Sequence, residues 1–379
     1  MANRRNATSG CPYERIALVL QGGGALGTYQ VGVYQALHEA GFAPDWVAGT
    51  SIGAINAAII AGNAPDERLA KLDEFWSRIA TPAPLSPSPG NGEIAKWMSV
   101  IGSMQAATFG QSGFFKPRPV NPWFAPAGSA DAVSYYDTEE LRATLEDVVD
   151  FRRINRKEVR LSLGAVHVTN GRQVYFDNKN SHDPITSAHV MASGALPPGF
   201  PPVEIDGELY WDGGIFSNTP LDVVLDDKPR VDTLCFIADL FDPVGNPPQT
   251  MDEVMERQKD IIYASRSHRH IDGYRDMHNL RRAVSAFWSE LPESVRADRE
   301  MQRLRALGCT TTMSIVHLIY KGHAGLTAAK DYDFSQASLA RHREAGYRDA
   351  TAQLARRPWA QPAPPHVGVL VHELPEAAE

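Results

Sequence analysis

Twice between residues 15 and 63 an apolar run ends in a glycine-rich turn and gives way to a helical pattern, and this repetition dictates a parallel α/β unit. Ile16-Ala17-Leu18-Val19-Leu20 is apolar at every position, as a strand buried on both faces requires. It ends in Gly22-Gly23-Gly24-Ala25-Leu26-Gly27. Tyr29, Val33, Leu37 and Ala40 then recur at helical spacing as far as Gly41, a C-terminal stop. Asp45-Trp46-Val47-Ala48 reads as the second strand and Gly49-Thr50-Ser51-Ile52-Gly53 as the second turn. Residues 51–61 follow as a helix of small side chains able to lie close to a sheet. A strand, helix, strand unit of this kind crosses over in the right-handed sense.

The rest of the chain changes texture three times. Pro82-Ala83-Pro84-Leu85-Ser86-Pro87-Ser88-Pro89-Gly90 cannot continue a helix or a central strand and reads as a surface connection. Trp97, Met98, Phe109, Phe114, Phe115, Trp123 and Phe124 follow, interleaved with Gly and Pro. Residues 82–137 are therefore expected to form an irregular flap over the core, with a lid or an acyl-chain wall as the sharper alternative.

Residues 158–238 return to the sheet. Strands are expected at 159–166, 173–176, 208–211 and 231–238, with helices opened by Asp183-Pro184 and by Asn218-Thr219-Pro220. Beyond Pro243 the pattern is mostly helical and charged, over 250–290 and 335–355, with one more strand at 310–320. The expected organisation is a sheet-based unit over 15–240, carrying the flap, and a mostly helical extension over 241–379.

Composition narrows the function classes. The 379 residues are 43% hydrophobic and 22% charged, enough to bury a large core. The net charge of -8 and the lack of a long Lys/Arg run argue against a nucleic-acid partner, while leaving room for transient contact with a membrane surface. Cys11, Cys235 and Cys309 are too scattered for a disulfide framework or a paired metal site, which favours a reducing compartment. Arg4 and Arg5 are not followed by an apolar segment of signal-peptide length, and no window reaches the ~20 apolar residues of a membrane span. The expected location is the cytoplasm. Histidines cluster late in the chain, at His268, His270, His278, His317 and His323. His268 and His270 stand two apart and point away from each other on a helix, so no metal site is expected.

Gly22, Gly24 and Gly27 also satisfy the dinucleotide-binding spacing, but the acidic residue such a site needs at the end of the second strand is replaced by Ala48-Gly49-Thr50-Ser51. Asp45 lies at that strand's opposite end. An ordinary α/β-hydrolase also carries its nucleophile in G-x-S-x-G, but several strands precede the serine in that fold and here only one does. The reading that needs neither adjustment makes Ser51 a nucleophile and Asp212 its base. Gly49 and Gly53 flank the elbow that pushes the hydroxyl into the open, and Gly213-Gly214 let the chain turn so that Asp212 projects from a strand's end. Gly22, Gly23 and Gly24 supply backbone N–H donors for an oxyanion. With no histidine between them, base and nucleophile are expected to meet directly, the carboxylate partly desolvated.

Gln21-Gly22-Gly23-Gly24-Ala25-Leu26-Gly27, Gly49-Thr50-Ser51-Ile52-Gly53 and Asp212-Gly213-Gly214 resemble, in order, the three signatures of patatin-like phospholipases. Ala192-Ser193-Gly194-Ala195-Leu196-Pro197 is similar to the segment that usually precedes the aspartate. The resemblance covers about residues 15–225. It implies a three-layer α/β sandwich, with a mostly parallel central sheet and helices on both faces. It also implies a Ser-Asp dyad esterase acting on lipid acyl esters without metal or cofactor, of phospholipase A or lysophospholipase type. An acyltransferase, an intracellular polyester depolymerase and a silent lipid-binding scaffold are the alternatives on the same core. One departure stands out: Leu26 occupies a position where the family often has Arg or Lys, so neither a phosphate contact from the loop nor a strict phospholipid preference is expected.

Overall fold

The computed structural model describes residues 11–81, 92–180, 183–322, 327–361 and 363–374. The N-terminal Arg4-Arg5 segment, the proline-rich connection and His323 lie outside these, as do the side chains of Trp97 and Met98. The chain runs β1 (Arg15–Leu20), α1 (Thr28–Glu39), β2 (Trp46–Thr50), α2 (Ile52–Gly62), α3 (Arg68–Ile79) and α4 (Gly92–Phe109). A two-stranded ribbon of β3 (Lys116–Pro117) and β4 (Tyr136–Asp137) leads to α5 (Glu139–Val148) and α6 (Phe151–Asn155). Next come β5 (Arg160–His167), β6 (Gln173–Asp177), α7 (Ser187–Ser193), β7 (Val203–Ile205), β8 (Glu208–Asp212), α8 (Asp222–Leu225) and β9 (Thr233–Asp239). The C-terminal part holds α9 (Met251–Glu290), α10 (Glu293–Arg296), α11 (Arg299–Arg305), β10 (Met313–Ile319), α12 (Gln336–Arg356) and β11 (Val369–Glu373).

One sheet organises all of it, in the order β11-β10-β9-β1-β2-β5-β8-β7, with β6 also paired to β5. From β11 to β5 every neighbour is parallel, and β6, β7 and β8 add antiparallel pairings at the far side. The apolar run Ile16–Leu20 of β1 explains itself here. Ile16, Leu18 and Leu20 enter the core shared with α1, α2, α3 and α12, while Ala17 and Val19 face the smaller core closed by α8 and α9. Helices thus cover both faces of a mostly parallel sheet, the expected fold class.

The C-terminal residues are largely helical, yet they join this sheet through β10 and β11. Helix α12 also crosses α1 at backbone contact. A Cβ on Gly32 would fall 1.9 Å from the Arg343 carbonyl oxygen, and one on Gly346 1.9 Å from that of Tyr29, so only glycine permits this approach. Tyr29 Oη donates to Asp349 Oδ2 at 3.1 Å beside the crossing.

Several local expectations need correction. Residues 92–109 form a helix rather than irregular chain: the window has no proline and a single internal glycine after Gly92, and the breakers lie on its flanks. Helix α7 starts at Ser187 instead of after Asp183, because Thr186 and His189 form a reciprocal capping box. Asn218 does not cap a helix, and α8 begins only at Asp222. The Asn218 side chain is used elsewhere, as described next.

Candidate active site

Strand register brings the three motifs to one edge of the sheet. Leu20 pairs with Gly49, so the turn after β1 and the turn after β2 leave the sheet side by side. Thr50 pairs with Gly164, and the next residue of β5, Ala165, pairs with Asp212. Because β8 runs antiparallel to β5, it descends from beyond this edge and ends with Asp212 level with the residue after Thr50, which is Ser51. Asp45, at the opposite end of β2, accepts a hydrogen bond from Ile16 N at 3.0 Å and belongs to the scaffold.

Ser51 is held in a conformation that side-chain-bearing residues rarely adopt, with φ 56° and ψ -126°. Its N–H is shared between Ser193 O at 3.0 Å and Ser193 Oγ at 3.2 Å, and Ser193 Oγ in turn donates to the Gly164 carbonyl at 2.6 Å. The elbow is closed too tightly for any other flanking residue. A Cβ on Gly49 would lie 2.2 Å from the Gly53 carbonyl oxygen, and one on Gly53 2.3 Å from that of Leu20. Helix α2 starts at the next residue, so its positive end faces the serine.

Asp212 is buried, and its Oδ1 accepts the Gly214 N–H at 2.7 Å. Loss of solvent pushes its pKa from the usual carboxylate range to about 7, against the opposing pull of the Gly214 N–H and of the Ser51 side chain, which reaches the carboxylate. A carboxylate with that affinity is a competent proton acceptor near neutral pH, where an ordinary aspartate is not.

The glycine loop is anchored from both sides. Gly22 N–H donates to Asn218 O at 3.1 Å, and Asn218 Nδ2 donates to Gly22 O at 2.9 Å. Of the three expected donors, Gly22 is thus already committed. The N–H groups of Gly23 and Gly24 make no hydrogen bond among the described residues. Behind the loop, Gln21 Oε1 accepts from the N–H groups of Leu240 (2.5 Å) and Phe241 (3.2 Å), while Nε2 donates to Thr219 Oγ1 at 2.9 Å and Tyr263 O at 3.2 Å. Sequence reasoning passed over Gln21 as a site residue, although it opens the first motif.

Ser51, Asp212 and the three loop glycines line one cavity of about 80 Å³. Its walls are apolar, chiefly Ile55, Phe114, Phe115, Leu196, Phe200 and Phe334. Phe114, Phe115 and Phe200 pack as a ring cluster with centroids 5.3–5.9 Å apart. The expected flap therefore contributes Phe114 and Phe115 to the wall, whereas Phe109, Trp123 and Phe124 are exposed. Tyr263, Asp331, Tyr332 and Phe334 reach the cavity from the C-terminal part, a contribution no local pattern announced. No Lys, Arg or His lines it among the described residues, and Leu26 is fully buried away from it.

The residues that build this edge coincide with a family match. The patatin-like phospholipase model covers residues 18–225, more than half of the chain, and the protein belongs to the patatin-like phospholipase family. A second model, described as patatin phospholipase, matches residues 261–366. An uncharacterized NTE family protein of Mycobacterium bovis is 27% identical over 214 residues, 56% of this chain and 46% of that protein. Human patatin-like phospholipase domain-containing protein 6 is 28% identical over 208 residues, 55% of this chain and 12% of that protein. A lysophospholipase of Aspergillus terreus is 57% identical over 49 residues, 13% of this chain and 3% of its own length. The matched stretch thus spans less than half the length of these relatives. Among solved structures, human GIVD cytosolic phospholipase A2 has a TM-score of 0.42 at 12% identity, over 93% of this chain and 61% of that one. VipD from Legionella pneumophila has a TM-score of 0.39 at 16% identity, over 90% and 67%. Among the described residues no helix is long and apolar enough to cross a membrane.

Proposed function

We propose that the protein is a lipid acyl hydrolase that cleaves carboxylic esters through a Ser51–Asp212 dyad. The observation that carries this reading is the register that sets a serine in a strained elbow beside a buried, weakly acidic carboxyl, in one apolar cavity. Asp212 accepts the proton of Ser51 Oγ as the oxygen attacks the ester carbonyl. Negative charge collects on the carbonyl oxygen, where the N–H groups of Gly23 and Gly24 and the end of α2 hold it, each such donor contributing ~3 kcal/mol to the transition state. Collapse expels the alcohol, which takes the proton from Asp212. Water, deprotonated by the same carboxylate, then releases the acid from the Ser51 ester.

The aromatic wall suits an acyl chain. Fatty-acid release from short-chain nitrophenyl esters and from phospholipid vesicles tests the proposal. Ser51→Ala and Asp212→Ala should each abolish turnover, and undiminished turnover in either folded variant would overturn the dyad.

A further inference from the structure

A second constellation of reactive side chains lies on the other side of β9. His317, near the end of β10, pairs in register with Glu373, the last residue of β11, so the two side chains stand next to each other on one face. That is the face covered by α9, which places His268 above them. One ligand-capable atom from each of His268, His317 and Glu373 lies within 4.8 Å of the other two. Glu373 Oε1 is 2.9 Å from His317 Nδ1 and 3.8 Å from His268 Nε2. Donors around a tetrahedral ion with bonds of about 2.0–2.1 Å stand about 3.3 Å apart. The two separations to Glu373 bracket that value and the two imidazole nitrogens stand within 4.8 Å of each other, so side-chain movements of about an ångström would close the shell.

What lies behind His317 strengthens the pattern. Its other nitrogen, Nε2, is 2.9 Å from Asp239 Oδ2, and both residues are buried. A carboxylate behind an imidazole fixes ring orientation and tautomer, and the opposite nitrogen, which meets Glu373 at 2.9 Å without an ion, is the one that would ligate. Asp239 is itself fixed, its Oδ1 accepting from Thr219 Oγ1 at 2.8 Å. A hydrogen-bonded Asp239–His317–Glu373 triad would explain these three residues without an ion, but it gives His268, whose Nε2 is 3.8 Å from Glu373 and whose ring lies 5.3 Å from that of His317, no hydrogen bond. Among the described residues His268 Nε2 makes no hydrogen bond, and its Nδ1 is buried without a partner.

The site has room and a route to solvent. A cavity of about 450 Å³ is bounded by His317 and Glu373 together with Lys321 and Arg348. Both of these cations stand beside carboxylates, Lys321 Nζ at 3.1 Å from Asp242 and Arg348 Nε at 3.6 Å from Asp349, which offsets their repulsion of an entering ion.

We propose that His268, His317 and Glu373 bind a divalent first-row transition cation, with zinc the match for two imidazoles and one carboxylate, and with the remaining coordination position open to water. The ion would tie α9 to β10 and β11. Through Asp239, Thr219 and Gln21 it would stiffen the turn that carries the glycine loop. Spacing along the chain could not announce this site, because its members come from a helix and two strands far apart in sequence. Magnesium and calcium, which prefer oxygen ligands, do not fit it.

The test uses the full-length protein stripped with a chelator and titrated with zinc chloride, followed by calorimetry and by thermal melting. One saturating equivalent that raises the melting temperature is expected, with magnesium chloride giving neither effect. His268→Ala and Glu373→Gln, both at partly exposed positions, should each weaken zinc affinity at least tenfold, and Asp239→Asn about tenfold. Failure of the folded wild type to take up zinc saturably overturns the proposal. So does uptake that survives unchanged in both His268→Ala and Glu373→Gln.

Discussion

Gly22 and Asn218 hydrogen-bond each other in both directions, N–H to carbonyl at 3.1 Å and side-chain amide to carbonyl at 2.9 Å. The pair fixes the first peptide of the glycine loop and ties the segment after Asp212 to the segment after β1. Asn218→Ala leaves the Gly22 carbonyl short of a partner and loosens the loop. The expected result is a loss of tenfold to a hundredfold in kcat/KM, corresponding to about 1–3 kcal/mol, carried mainly by kcat. Steady-state kinetics on a chromogenic ester, with circular dichroism as the folding control, checks this.

In the proposed mechanism Asp212 acts in its ionised form, so kcat/KM for a neutral ester should climb as pH rises through about 7 and level off above it. Stability moves the opposite way. Between the ordinary carboxylate value of 3.8 and about 7 the folded carboxyl holds its proton while the unfolded one has lost it. The stability contributed is therefore complete below the lower value and is lost as pH rises through the upper one. Asp212→Asn should melt higher than wild type at pH 8, with a smaller gap at pH 5 that closes only as pH falls below about 4. Melting curves at both pH values are the check, and a variant destabilised at pH 8 contradicts the assignment.

Gln21 is a structural hub whose side chain satisfies two backbone N–H groups of the turn after β9. Gln21→Ala leaves both buried and unpaired, at about 1–3 kcal/mol each. A melting temperature lowered by several degrees is expected, together with near-complete loss of turnover at temperatures where the variant is still folded.

The ring cluster of Phe114, Phe115 and Phe200 narrows the cavity. Phe200→Ala removes one wall and should shift preference toward longer acyl chains, read as kcat/KM across a series of nitrophenyl esters. An unchanged chain-length profile would show that the chain lies elsewhere.

Features written in consecutive residues were legible in the sequence. The apolar run of β1, the serine between two glycines and the aspartate before Gly213-Gly214 each declare their local geometry. Parallel pairing then aligns the turns after β1 and β2, and the antiparallel pairing of β8 with β5 sets Asp212 level with Ser51. What stayed hidden is non-local. Ser193 supports the elbow from 142 positions away, Asn218 meets Gly22 across 196, and Gln21 meets Leu240 across 219. Asn218-Thr219-Pro220 even carried a convincing but misleading signal, since a side chain suited to capping a helix is equally suited to binding a loop carbonyl. Helix α4 was masked by the prolines and glycines on its flanks. Asp331, Tyr332 and Phe334 close the cavity from a segment whose own pattern says only that it is polar and turn-rich.

The central claim, that Ser51 is a nucleophile activated by Asp212, is tested most directly by treating the folded protein with a fluorophosphonate and locating the adduct by peptide mass spectrometry. One adduct on Ser51 is predicted, absent in Ser51→Ala and formed far more slowly in Asp212→Asn. A folded wild-type protein that stays unlabelled, or that carries the label on another residue, would contradict it.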